Sequence, residues 1–444
     1  MGMNDTPVSE RFTIGIFGRR NAGKSSIINA ITNQQTALTS SVAGTTTDPV
    51  SKTMEMLPIG PIVLIDTAGL DDVGDLGLKR VEKSYEVLRK CNLVLFVCDA
   101  GLGDEMFGDL EADFMKQLQL RKIRCIIVMN KCGNLPEIEQ CAEATDIRTL
   151  AEELKRTDDL ESLKADIKRA TEIRSLAETL RRKTGAPVVC TDADERIGIE
   201  ELKQEIIKNA DMAGETISLT EGLVHPGKIA VLVTPIDSAA PKGRLILPQQ
   251  QVIRDIIDKG AIPVVTRETE LEKALDALAE PPEIVITDSQ AFGYVGEIVD
   301  EDIPLTSFSL IFAHYKGDLR NMLNGVEKLK SLKPGDRVLI AEGCTHHRQE
   351  DDIGTVKVPR LIRKICPKVE IEHFSGASFP KDLSGYALIV HCGACMLNRR
   401  EVQYRISIAT DSGTAITNYG MVLAYCNGIL PRAVAPFGFD FKND

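Results

Sequence analysis

At 444 residues the chain exceeds what one hydrophobic core organises and predicts about three domains of ~150 residues each. Its apolar fraction of 43 % is ordinary for a globular protein, and a net charge of -12 with a pI near 5.2 argues against a broad nucleic-acid or anionic-membrane footprint. Eleven scattered cysteines do not resemble a disulfide framework, no charged-then-apolar leader opens the sequence, and no apolar run approaches the ~20 residues of a membrane span, so a reducing cytoplasm is expected.

In chain order, a polar arm (Met1 to Glu10) precedes a short strand, Arg11 to Phe17, that runs into Gly18-Arg19-Arg20-Asn21-Ala22-Gly23-Lys24-Ser25. This is a complete G-x-x-x-x-G-K-S, continued by the helical pattern of Ser26 to Ile31. Backbone N–H groups in such a loop and the helix N-terminus attract phosphate, Lys24 reaches the β- and γ-phosphates, and the Ser25 hydroxyl ligates Mg2+. Gly18, Asn21, Ala22, Gly23, Lys24, Ser25 and Ser26 form the predicted cradle; a mere tight turn is the bland alternative.

Three more stretches follow in the order a GTPase requires. Ala43-Gly44-Thr45-Thr46-Thr47-Asp48 resembles the switch I segment of translation-factor-like GTPases, with Thr46 aligned to the threonine that closes on Mg2+ and the γ-phosphate. Strand Ile62 to Ile65 delivers Asp66-Thr67-Ala68-Gly69, where Asp66 supports hydrated Mg2+ and the Gly69 amide senses the γ-phosphate. After strands Leu93 to Val97 and Cys125 to Met129 comes Asn130-Lys131-Cys132-Gly133, similar to the guanine-reading N-K-x-D. The set predicts a P-loop domain that binds GTP with Mg2+.

Two departures stand out. Gly133 occupies the aspartate position, removing a carboxylate whose hydrogen bonds to guanine contribute ~1.5 to ~3 kcal/mol, and Asn134 is a partial substitute at most. Leu70 follows Gly69, and an apolar side chain cannot orient the attacking water, which implies slow hydrolysis. Asn21 matches the asparagine that holds K+ in potassium-activated GTPases, where the cation neutralises charge developing between the β- and γ-phosphates. Asp72, beside Asp71, is the candidate that positions water, against the plain alternative of a solvated acid.

Pro136 to Lys183 contains no glycine and reads as one or two long amphipathic helices. Strand Pro187 to Cys190 leads to Thr191-Asp192-Ala193, a degenerate form of the S-A-K loop that backs the guanine, and Gly198-Ile199 opens the closing helix of a GTPase domain spanning 1–212. A polar linker begins the second domain, 213–332, whose strands Lys228 to Val233, Ile262 to Val265 and Ile284 to Thr287 alternate with helices Gln249 to Lys259 and Glu268 to Leu278. That alternation predicts a parallel sheet, and an uncovered edge suits dimerisation. The third domain, 333–444, alternates again: strand Arg337 to Ala341, helix Val358 to Ile365, strands Val369 to His373 and Tyr386 to Val390, helix Asn398 to Ile408 and a last helix from Met421.

Two strand ends of that domain carry cysteines: Cys344-Thr345-His346-His347, and His391-Cys392-Gly393-Ala394-Cys395. Three thiolates with nearby histidines suit a metal. They fit structural zinc on Cys344, His346, Cys392 and Cys395, or an iron-sulfur cluster one thiolate short of the usual four. Buried, uninvolved cysteine is the third reading.

The P-loop, the central sheet and the cysteine set on one chain resemble the family of [FeFe]-hydrogenase maturation GTPases. The likeness is also carried by Ala240-Pro241-Lys242-Gly243-Arg244, by Ala341-Glu342-Gly343-Cys344-Thr345-His346 and by Asn418-Tyr419-Gly420-Met421. It implies an α/β homodimer whose third domain holds a [4Fe-4S] cluster on Cys344, Cys392 and Cys395, with His346, His391 or water as the exchangeable fourth ligand. It further implies a scaffold that receives a diiron precursor assembled with radical-SAM partners and hands it to the apo-hydrogenase. An assembly or RNA-modification GTPase with a zinc module is the competing expectation.

Overall fold

Strand β1 (Phe12–Gly18) is buried along nearly its whole length, as a parallel strand covered on both faces must be. In the computed structural model, residues 10–33, 50–72, 75–133, 160–211, 218–235, 245–343, 352–376, 379–380 and 382–441 are described, without the side chains of 75–80, 82, 160–167 and 211. The chain divides into two units, 1–215 and 216–444.

In the first unit, β1 is followed by α1 (Lys24–Thr32), β2 (Val50–Met56), β3 (Gly60–Asp66), α2 (Asp75–Leu88), β4 (Leu93–Asp99) and α3 (Asp109–Leu120). Next come β5 (Arg124–Asn130), α4 (Leu160–Thr184), β6 (Val188–Cys190) and α5 (Ile199–Asp211). The sheet order is β2-β3-β1-β4-β5-β6, with only β2 antiparallel. Phe17, Phe96, Phe114 and Leu180 fill one face; Ile14, Ile27, Leu95 and Leu202 fill the other. The long predicted helix ends where α4 ends, with Arg181, Arg182 and Lys183 suiting its negative C-terminal pole. The start of that stretch, from Pro136 to residue 159, lies outside the described residues.

The second unit opens with β7 (Ile229–Val233), α6 (Leu247–Asp258), β8 (Ile262–Thr266), α7 (Leu271–Asp276), β9 (Ile284–Thr287), α8 (Phe292–Ile298) and β10 (Leu305–Ser307). Helices α9 (Phe308–Lys316) and α10 (Leu319–Lys330) lead to β11 (Arg337–Glu342), α11 (Val358–Ile365), β12 (Glu370–Ser375), β13 (Leu388–His391) and α12 (Arg399–Asp411). The unit closes with β14 (Ala415–Asn418), α13 (Tyr419–Cys426) and α14 (Leu430–Val434).

It holds two four-stranded parallel sheets, β10-β9-β7-β8 and β12-β11-β13-β14, so the α/β architecture with parallel sheets is as expected. One apolar core draws Phe292 and Leu310 together with Leu339 and Ile389. The predicted helix at Glu268 to Leu278 is shorter: a 3-10 turn precedes α7. The last predicted helix starts two residues earlier because Asn418 caps it, its side-chain oxygen accepting from the Met421 amide at 2.8 Å. Among the described residues no helix is long and apolar enough to cross a membrane.

Candidate nucleotide site and cysteine loop

The glycine loop turns sharply between β1 and α1. Gly23 has φ 94°, and a Cβ there would lie 2.1 Å from Asn130 Nδ2, so only glycine fits. The Lys24 ammonium donates to the carbonyl oxygens of Gly18 (3.2 Å) and Arg19 (2.7 Å). Burial lowers its pKa, so it gains from any anion delivered to the loop.

The Ser25 hydroxyl donates to Asp66 Oδ2 at 2.5 Å, while Asp66 Oδ1 is buried with no hydrogen-bond partner. Burial raises the Asp66 carboxyl despite that bond and despite Lys24. An orphaned carboxylate oxygen next to a serine hydroxyl fits a divalent cation, which would take Ser25 Oγ and favour the ionised acid.

Sequence reasoning missed what fixes this loop from behind. Arg19 makes a two-pronged pair with Glu111 of α3, Nε to Oε1 at 2.6 Å and Nη2 to Oε2 at 2.9 Å, and the Gly108 amide donates to Oε2 at 2.8 Å. The partners are 92 positions apart, beyond any local signal.

On the base side, Asn130 is 2 % exposed and links two loops. Its Nδ2 donates to Ala22 O at 3.1 Å, and its Oδ1 accepts from the Ala193 amide at 3.0 Å and from Thr191 Oγ1 at 3.3 Å. Lys131 Nζ donates to Asn21 O at 2.8 Å and pairs with Asp99 at 2.5 Å. Asp192 accepts from the Gly133 amide at 3.0 Å through Oδ2 and from the Glu195 amide at 3.2 Å through Oδ1.

In switch II, the Leu70 amide donates to Gly18 O at 3.2 Å and its side chain is buried in the core. Asp71 Oδ1 accepts from the Arg20 amide at 2.7 Å. Asp71 is thereby committed to the glycine loop, and Asp72 is the acid left beside Gly69. The fold brings together Gly18, Lys24, Ser25, Asp66, Gly69, Asn130, Lys131, Asp192 and Ala193; Thr46 lies outside the described residues.

In the second unit, β11 and β13 are neighbours with Ala341 opposite His391. The Gly343 amide donates to Cys392 Sγ at 3.2 Å, so this sulfur sits at the strand end that runs directly into Cys344. Ala394 takes a left-handed φ of 54° between the two cysteines. Beneath the loop, Lys316 is 1 % exposed and donates to the carbonyl oxygens of Ala394 (3.4 Å), Cys395 (3.4 Å) and Leu397 (2.9 Å). Burial raises the pKa of both Cys392 and Cys395, outweighing the nearby cations Arg405 and Lys316, and a metal ion would favour their thiolate forms.

Cys344 and His346 lie outside the described residues, and among the described ones no three metal-donor side chains converge. His391 is held differently from the cysteines. Its Nδ1 lies 2.9 Å from Cys392 O and its Nε2 lies 3.0 Å from Arg405 Nη1. A guanidinium only donates, so Nε2 accepts, Nδ1 carries the proton, and neither nitrogen remains for a metal in this arrangement. Burial, with Arg405, lowers the His391 pKa to about 4.

Three family models match: a 50S ribosome-binding GTPase over residues 13–131, a hydrogen maturase F dimerization domain over 219–317 and a hydrogen maturase F tetramerization domain over 320–436. The chain is 36 % identical over 130 residues to the GTPase Der of Sulfurimonas denitrificans, covering 29 % of this chain and 26 % of the relative. It is 43 % identical over 93 residues to the tRNA modification GTPase MnmE of Desulforamulus reducens, covering 20 % of each. The chain therefore spans about a quarter of the length of such relatives, or less.

Among solved structures, a bacterial selenocysteine-specific elongation factor EF-Sec aligns at TM-score 0.31 and 15 % identity over 47 % of this chain and 30 % of its own. The cytosolic domain of the T. maritima FeoB iron transporter in its GMPPNP form aligns at 0.28 and 18 %, over 48 % and 72 %. Likeness that weak carries nothing further. With two maturase domains matched one after the other behind a GTPase domain, the chain belongs to the hydrogen maturase F family.

Proposed function

We propose that the chain is a GTP-hydrolysing scaffold of [FeFe]-hydrogenase maturation. In this reading it holds a [4Fe-4S] cluster, receives a diiron precursor made with radical-SAM partners and delivers it to the apo-hydrogenase in the cytoplasm. The observation that carries it is the Gly343 amide on Cys392 Sγ at 3.2 Å, which sets one sulfur at the mouth of the strand leading to Cys344. Cys344, Cys392 and Cys395 would hold the cluster. With both His391 nitrogens engaged, the fourth site falls to His346 or water. A weakly held fourth ligand suits a carrier, since a fourth thiolate would resist docking and release of the cargo.

In the nucleotide site, Lys24 and the loop amides bind the β- and γ-phosphates, while Ser25, Asp66 and Thr46 hold Mg2+. Asp72 positions the attacking water, Leu70 being buried. Asn21 carries K+, and equal hydrolysis rates in sodium and potassium buffers would remove that element. The tripartite division into 1–212, 213–332 and 333–444 belongs to the same reading, with its second boundary drawn nearer 318, where α10 begins to pack on β14. Edge strand β8, with Ile262 50 % and Val265 44 % exposed, supports self-association through the central sheet.

Oxygen-free purification and reconstitution, followed by metal analysis and an absorption spectrum, tests the cluster: iron with a broad visible band is expected. Stoichiometric zinc in colourless protein would favour the assembly or RNA-modification alternative. Lys24→Ala is expected to stop hydrolysis and retain iron, and Cys392→Ser to do the reverse.

A further inference from the structure

We propose that Asp192 supplies the carboxylate that selects guanine in this chain, in place of the residue at position 133. The inference rests on the nucleotide-binding reading above and deepens it. The N-K-x-G stretch keeps its structural member: Asn130 still ties the glycine loop to the base-side loop, as in a site built to hold a purine. What position 133 lacks is an acid. Asp192 brings one there from the other loop, its Oδ2 accepting from the Gly133 amide at 3.0 Å. The carboxylate thus stands within hydrogen-bond reach of the backbone from which the missing side chain would have grown.

Its pose is fixed on both sides. The flanking residues Thr191 and Ala193 are bonded to Asn130, the backbone of Asp192 bridges to Ile197, and Oδ1 accepts from the Glu195 amide. Among the described residues, a Cβ on Gly133 would meet nothing within 4 Å. Each carboxylate oxygen has two lone pairs and spends one on a backbone amide, leaving one each for a ligand.

Two convergent acceptors fit the N1–H and 2-amino donors of guanine. Adenine offers a bare N1 acceptor and a C–H at those positions, leaving the carboxylate unpaired, while xanthine keeps N1–H but sets its C2 carbonyl oxygen against the second carboxylate oxygen. The acid has moved from one base loop to the other, and the discrimination moves with it.

The test is displacement of a fluorescent GTP analogue from the full-length protein by GTP, ITP, XTP and ATP. Wild type is expected to prefer GTP over the other three. Asp192→Asn is expected to lose GTP affinity at least about tenfold and to gain affinity for XTP, because the amide N–H then faces the xanthine carbonyl. Asp192→Ser, which keeps an acceptor for the backbone amides, decides the matter if the asparagine variant does not fold: the same loss of GTP is expected. Adding Gly133→Asp to it should restore GTP preference, since aspartate tolerates the φ of 74° found there.

GTP affinity within about threefold of wild type in both single variants overturns the proposal, as does a parallel loss of GTP and XTP. Lys24→Ala separates the levels. If it leaves GTP binding intact, the phosphate-site reading fails; if it abolishes binding while Asp192→Asn changes no preference, only the assignment of Asp192 fails.

Discussion

Glu111→Gln isolates what holds the phosphate-binding loop in shape. The carboxylate is fully buried and takes three donors, Arg19 Nε at 2.6 Å, Arg19 Nη2 at 2.9 Å and the Gly108 amide at 2.8 Å. Glutamine keeps the volume, but its amide nitrogen must oppose one of those donors, and Arg19 loses its counter-charge. Exposed ion pairs contribute ~0–1 kcal/mol and loss of one partner from a fully buried pair costs ~3–5 kcal/mol. Arg19 keeps 34 % of its side chain exposed while Glu111 keeps 1 %, so an intermediate cost of ~2 kcal/mol is expected, about a 30-fold rise in local opening.

The sequence contains no tryptophan, so hydrogen exchange of peptides spanning 12–32 in the full chain is the suitable readout. Their exchange should quicken about 30-fold while peptides over 337–342 stay unchanged. Burial works to raise the Glu111 carboxyl, but Arg19 and the backbone amides outweigh it and hold the pKa below its ordinary value. Its stabilisation is therefore present above the ordinary carboxylate range and lost as pH falls through the depressed value, so the difference between variant and wild type should persist from neutral pH downward and vanish in acid. Acceleration under about threefold, or equal acceleration in both units, would refute the reasoning.

Asp66→Asn should raise the Mg2+ concentration needed for nucleotide binding by about 10- to 100-fold, with binding in chelator unchanged. Because burial raises the Asp66 pKa, protons should also compete with Mg2+ in wild type as pH falls, and a pH-independent Mg2+ titration would contradict this. Lys316→Met strips three carbonyl oxygens of a buried donor and should cost ~3 kcal/mol together with a loss of retained iron; full iron retention in a destabilised protein would show that the cysteine loop does not depend on it. Ile262→Lys puts a charge on the exposed edge of β8 and should weaken self-association at least about tenfold in sedimentation, and unchanged assembly would exclude that edge.

The strands and their loops were legible because their chemistry is local. An apolar run of strand length such as Leu93 to Val97 fits a strand buried on both faces, and the G-x-x-x-x-G-K-S pattern after β1 marks a loop that opens a helix. The pairs that fix the sites were not legible. Arg19 and Glu111 are 92 positions apart, and Lys316 lies 78 to 81 positions from the carbonyls it bonds, so neither leaves a mark in any short window. Helix α9 opens Phe-Ser-Leu-Ile-Phe-Ala, apolar at five of six positions, and nothing in its period announces that its terminal lysine is buried under a cysteine turn. The histidine next to Cys392 looked like a ligand by proximity, whereas Arg405, 14 positions on, engages its Nε2.

Both candidate sites sit at the carboxyl ends of adjacent parallel strands, and the reason is geometric. Parallel pairing sends every loop from a strand end to the same edge, where backbone amides emerge unpaired before the next helix begins. At β1, β3 and β5 that edge gathers Gly18, Asp66 and Asn130; at β11 and β13 it gathers Gly343 and Cys392. Free amides favour anions, whether phosphate oxygens or sulfur with thiolate character, and the Gly343 amide on Cys392 Sγ is the second unit's instance of what the glycine loop offers phosphate in the first. Each edge is built from its own sheet and its own core.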